Sequence, residues 1–247
     1  MLKQHTVLCK TSSGLGRRDG RREGNHPKVN DINQFGEMNR GRIAPEVARS
    51  TDWAGSIGSS PEAIKWFQDN MGMNAADAEK AANIFLKYSK RGDTPLHNDT
   101  DKAGNDLLDK IIHTGNAPVY SGNQFRGMHI TGLALQTRGV NVTPEQYIQG
   151  IIKGGVWKDA GATSFSASER VAHGFANSQS VRPGDASVIL HYEAGKSGFP
   201  MQHLSSYPGE REVLHSRAQM RKGMKIASSR TEKNKRGGTI YHIYLTD

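Results

Sequence analysis

The sequence predicts an α+β fold. Three helical patterns follow one another between residues 59 and 115, and the segments after residue 118 are mostly strand-like. Glycines punctuate the later strands at Gly195, Gly209, Gly223 and Gly237–Gly238, so antiparallel or mixed pairing is expected.

Residues 1–51 (with "TSSGLGRRDGRREGNHPK") are rich in Gly, Arg, Ser and Asn and show no lasting period. They read as a flexible basic leader, with secretion, targeting or partner binding as alternative roles. "SSPEAIKWFQDNMG" places Pro61 in a first helical turn, Ile64 and Phe67 on one face, and Gly72 at the end. "NAADAEKAANIFLKYSKRG" starts at a capping Asn74 and repeats Ala78, Ala81, Ala82, Phe85 and Leu86 at helical spacing. "DKAGNDLLDKIIHTG" is a third helix, with Leu107, Leu108, Ile111 and Ile112. "APVYSGNQFRGMHI" reads as strand. "VTPEQYIQGIIKGG" is a helix whose Thr143 and Gln146 form a capping box around Pro144. "GATSFSAS", "ASVILHYEA", "EREVLHS", "MKIASSR" and "GTIYHIYLTD" read as strands, interrupted by one short helix, "SERVAHGFAN".

Composition narrows the function classes. The net charge is +9 over 247 residues, but ten Lys/Arg against five Asp/Glu lie in residues 1–51. The remainder carries an ordinary excess, aromatic content is only 7%, and no RNA or DNA motif is present, so a nucleic-acid partner is not expected. The single Cys9 allows neither a disulfide framework nor a Cys-based zinc site, and the ten histidines show no ligand spacing, so no metal is expected. No apolar run is long enough for a membrane span, and "MLKQHTVLCK" lacks the apolar core of a signal peptide.

Four stretches could carry chemistry. In "NQFRGM", Arg126 lies on a strand between Phe125 and Gly127. Such an arginine is usually a salt-bridged edge residue, but partial burial would demand an anionic partner or ligand. In "GATSFSASERVAHGF", Ser164 and Ser166 share a face with Phe165 between them. Ser166 with Glu169 reads as a capping box, whereas Ser164 needs an internal partner. "ANSQSVRPGDAS" is a loop that contains Arg182 and reads first as an ordinary turn. In "SSYPGEREVLH", Glu210 and Glu212 would point the same way from a strand, roughly 6–7 Å apart. Two like charges so close suggest a cationic ligand or transition state, or a solvated edge.

The order of these stretches is similar to that of the mono-ADP-ribosyltransferases of the arginine–serine–glutamate class, which include bacterial toxins and effectors. The resemblance covers about residues 115–245 and rests on "FRGM", on "GATSFSAS" followed by Ala172 and Phe175, and on "SSYPGEREVL". Phe165 stands where the family often has threonine. The resemblance implies the ADP-ribosyltransferase fold: a mixed or antiparallel two-sheet core behind an N-terminal helical block, with residues 52–247 as the catalytic domain. It implies NAD as a substrate, with cleavage of its nicotinamide–ribose bond. Glu212 would stabilise the ribose cation, Ser164 would orient Glu212, and Arg126 would hold the dinucleotide. Gly127, Phe165 and Ser166 would flank the NAD site, and Arg182 would add a phosphate contact. Glu210 matches the position that is Glu in arginine modifiers, and Tyr207 would face the target protein. The implied function is transfer of ADP-ribose to an arginine of a target protein by a monomeric toxin or effector. Such a protein would be secreted or delivered into a host cell without a signal peptide. An inactive binding module of the same fold and an NAD glycohydrolase are the alternatives.

Overall fold

In a computed structural model, the described residues are 60–89, 94–177, 184–195, 197–201, 204–205, 208–233 and 238–247. They form an α+β fold in which a helical block precedes an eight-stranded mixed sheet. The predicted leader, residues 1–51, lies outside them.

Helix α1 (Ser60–Met71) carries Pro61 in its first turn, where the missing N–H costs nothing. Its Ala63, Phe67 and Met71, spaced by four, are buried. Gly72 ends it with φ +65°, a conformation that glycine adopts without a side-chain clash. Helix α2 (Ala75–Ser89) is capped by Asn74, whose Oδ1 accepts the Asp77 N–H at 2.9 Å. The predicted apolar face is buried, and Tyr88 and Ser89 at its end are buried too. One short helical turn, α3 (Thr94–His97), leads into α4 (Lys102–Ile112), capped by Asp101. Phe67, Phe85 and Leu108 of this block share a core with Phe199, Val213 and Leu214 of the sheet. The Phe85 and Phe199 rings lie 4.8 Å apart.

Strand β1 (Gly122–Ile130) is followed by a short helix α5 (Gly132–Gln136) and by α6 (Pro144–Gly154). The predicted Thr143–Gln146 capping box is present on α6. The chain continues through β2 (Val156–Trp157), β3 (Thr163–Ser166), α7 (Glu169–Ala176), β4 (Ala186–Gly195) and β5 (Phe199–Pro200). It ends with a 3-10 turn (Pro208–Glu210), β6 (Glu212–His215), α8 (Arg217–Lys222), β7 (Met224–Lys233) and β8 (Thr239–Thr246).

The strand order is β2-β7-β8-β4-β1-β3-β6-β5. Among the described strands only β4 and β8 run parallel; the other pairs are antiparallel. The sheet has two wings, β2-β7-β8-β4-β1 and β3-β6-β5, joined where Phe125 of β1 registers with Ser166 of β3. Each wing has its own core. The helical block covers the β5–β6 wing. Trp157, Val188, Leu190, Tyr241 and Ile243 fill a second cluster with Ile148 of α6.

Two sequence expectations need correction. Ser166 does not cap α7: the capping position is Ser168, and Ser166 is the last residue of β3. The strand expected from residue 210 begins at Glu212. Glu210 closes the 3-10 turn, and Arg211 takes φ +49°, in the left-handed region. This turn breaks the alternation that would have put both carboxylates on one strand face.

Candidate active site

Strands β1, β3 and β6 are neighbours, and they bring the arginine, serine and glutamate stretches side by side. Phe125 registers with Ser166, and Ser166 with Glu212. Residues separated by some forty positions in sequence thus meet where the two wings join.

Arg126 is half-buried on β1. Its Nη1 donates to the backbone carbonyl of Ser164 at 2.5 Å. Its Nε is buried and has no hydrogen-bond partner among the described residues. A guanidinium is a planar fork of donors, so fixing one arm on β3 orients the others. A buried, unsatisfied N–H on a cation is costly unless a ligand acceptor supplies the bond.

Glu212 opens β6 and is 9% exposed. Ser205 Oγ donates to its Oε2 at 3.2 Å, and Ser89 Oγ at the end of α2 donates to Ser205 Oγ at 3.4 Å. Ser164 shares a side-chain hydrogen bond with the phenol of Tyr88. Burial first, and then the negative charge of Glu212, hold that phenol well above its ordinary range, while Arg126 acts in the opposite sense. Tyr88 is therefore a neutral hydroxyl within electrostatic reach of both charged groups. It also meets His97, with ring centroids 4.8 Å apart.

Ser166 ties the glutamate turn to β3. Its Oγ donates to the Glu210 carbonyl at 2.7 Å and accepts from the Ser168 N–H at 2.9 Å. The Ala167 N–H donates to the Arg211 carbonyl at 2.9 Å. On the other side of β6, the Met201 N–H donates to the Glu212 carbonyl at 2.8 Å. The backbone on both sides of Glu212 is thus pinned. Glu210 itself is partly exposed, at the rim of this arrangement.

Two expected site residues have packing roles. Phe165 is 2% exposed and points into the second core, 4.8 Å from the His215 ring. At Gly127, a Cβ would sit 1.6 Å from the Ala172 carbonyl oxygen, so glycine there lets α7 lie directly on β1. Arg182 and Tyr207 lie outside the described residues.

Some neighbours of the site carry no motif signal. Tyr88, Ser89 and Ser205 are buried polar groups reached only through the fold. Asp159 is another. Burial raises its pKa, with Arg126 the strongest opposing influence. It accepts from Trp157 Nε1 and Thr163 Oγ1, each at 3.4 Å. His215 is fully buried and neutral, its pKa pushed down to about 4 by burial first, with Arg126 adding to the depression. Its Nε2 lies 2.6 Å from Gln124 Oε1, so the ring donates there. Among the described residues no group of three or more His, Cys, Asp or Glu could hold a metal ion, and no helix is long and apolar enough to cross a membrane.

No protein-family model matches the chain, and no curated protein matches it in sequence. Solved structures that resemble it include bacterial ADP-ribosyltransferases, a toxin among them. The Vis toxin of Vibrio splendidus is 18% identical, with 94% of this chain and 89% of that one covered and a TM-score of 0.39. An ADP-ribosyltransferase of Clostridium botulinum is 16% identical over 77% and 97%, with a TM-score of 0.45. An ADP-ribosyltransferase of Pseudomonas syringae pv. tomato is 12% identical over 92% and 100%, with a TM-score of 0.40.

Proposed function

We propose that the chain transfers ADP-ribose from NAD to an arginine side chain of a target protein and releases nicotinamide, with residues 52–247 as the catalytic domain. One observation carries this reading. A buried carboxylate, a hydroxyl strand and a half-buried arginine with an unsatisfied Nε converge on three adjacent strands.

The chemistry follows from the parts. The nicotinamide of NAD leaves as a neutral ring, and positive charge develops on the ribose. Glu212, held in a site of low exposure, is a preorganised negative charge for that cation. Arg126 offers its remaining donors to the phosphates or ribose of the dinucleotide. Ser164 and Tyr88 add neutral hydroxyls between the two. Glu210, at the rim, would attract an incoming guanidinium and deprotonate it. Its place in the turn, off the strand face, fits a role on the acceptor and leaves the ribose to Glu212. A role as a monomeric effector or toxin delivered into a host cell fits this activity.

The test is release of nicotinamide from NAD, with and without agmatine as an arginine-like acceptor. Glu212→Gln should lose both hydrolysis and transfer by roughly 10²–10³, the usual cost of one preorganised electrostatic group. Glu210→Gln should lose transfer and keep slow hydrolysis. Equal loss of hydrolysis in both variants would show that Glu210 serves the ribose step, and arginine specificity would have no residue to rest on.

A further inference from the structure

The family resemblance implies that Ser164 orients Glu212. The structure puts a different hydroxyl on the carboxylate. Ser205 is fully buried, and its Oγ donates to Glu212 Oε2 at 3.2 Å. Behind it Ser89 Oγ donates to Ser205 Oγ at 3.4 Å, across 116 positions of sequence. The preceding residue on α2, Tyr88, bonds Ser164. Two consecutive residues at one helix end therefore reach two different hydroxyls of the candidate site.

We infer that Ser205, backed by Ser89, is the positioning residue for Glu212, and that the last turn of α2 sets the geometry of the site. This rests on the NAD reading above. The physical reason is directional. A carboxylate that accepts from a fixed donor has one preferred rotamer, and Ser205, which accepts from Ser89, donates its own proton to Glu212. The donors run one way, from helix to serine to carboxylate. The helical block is thereby more than a cover for the β5–β6 wing: it fixes the angle at which the carboxylate faces the ribose. Ser164 bonds Tyr88 through its hydroxyl and Arg126 through its carbonyl.

The experiment uses the full chain and two substitutions, Ser205→Ala and Ser205→Cys. Cysteine keeps the volume and loses the strong donor. Nicotinamide release gives kcat and KM for NAD. Carbon-13 NMR of glutamate-labelled protein, with Glu212 assigned through Glu212→Gln, gives the titration midpoint of the carboxylate independently of turnover. Both variants should lower kcat by about ten-fold or more, as for a lost hydrogen bond to a charged group. KM should change by less than about two-fold, and the Glu212 midpoint should move to higher pH, because a donor that favoured the charged form is gone. Full rescue by cysteine, or an unmoved midpoint in Ser205→Ala, would overturn the inference. A wild-type chain that releases no nicotinamide while the midpoint still moves would overturn the NAD reading and with it the catalytic role, and leave the contact itself established.

Discussion

Gly127→Ala is a demanding test of the packing that frames the site. The new Cβ would lie 1.6 Å from the Ala172 carbonyl oxygen, 2.5 Å from its carbonyl carbon and 2.9 Å from its Cα. Ordinary contact begins at 3.4 Å, so α7 would have to retreat by about 1.8 Å, the difference between 1.6 and 3.4 Å. The obstacle is helix backbone, which no rotamer change can relieve. Retreat would open the small core that Ala172 and Ala176 form with Ile189 and Ile240, and would stretch the 2.7 Å bond from Ser187 Oγ to the Ala176 carbonyl. Overpacking typically costs about 1–3 kcal/mol, and a backbone clash belongs at or above the top of that range. For a chain of this size, about 3 kcal/mol corresponds to a fall in Tm of roughly 6–12 °C. The assay is equilibrium unfolding in urea, with Gly150→Ala as the control. Gly150 is exposed on α6 with nothing within 4 Å of its would-be Cβ, so alanine there should stabilise by about 0.5–1 kcal/mol. A Gly127→Ala protein as stable as wild type would refute the close docking of α7 on β1.

Arg126→Lys keeps the charge and loses the fork that spans Ser164 and the unsatisfied Nε, so KM for NAD should rise about ten-fold or more while the fold survives. Wild-type KM in that variant would remove Arg126 from the binding site. Stability should fall on acidification. The folded His215 resists protonation down to about pH 4, whereas an unfolded histidine takes its proton near 6.5. Stability is thus fully present above about 6.5 and is lost between there and about 4. Urea midpoints measured across that range should decline in the wild type and decline less steeply in His215→Gln; parallel slopes would show that His215 is not the group responsible.

Much of the fold was legible because its elements are long enough to show a period. The Ala78–Leu86 face of α2, the Asn74 cap and the Thr143–Gln146 capping box are local facts, set by residues three or four apart. Helices α3, α5 and α8 and strands β2 and β5 were not legible: four to six residues span less than two helical turns, and two residues show no strand alternation. Helix α8 owes its place to ion pairs of Arg217 with Asp99 and Asp109, more than a hundred positions away. The site divides in the same way. Arg126, the serine strand and the two glutamates could be named from sequence because their order is a one-dimensional pattern. Arg211 at φ +49° could not, because nothing in "GEREV" marks a left-handed residue; the turn is held by Ser166 and Ala167 across the strand gap. Nor could Ser89 and Ser205, whose hydroxyls meet only once α2 has packed against the β5–β6 wing. Sequence named the groups that are proposed for the chemistry. Their aim was decided by tertiary structure, because a buried hydroxyl takes whatever partner the packed chain places within reach.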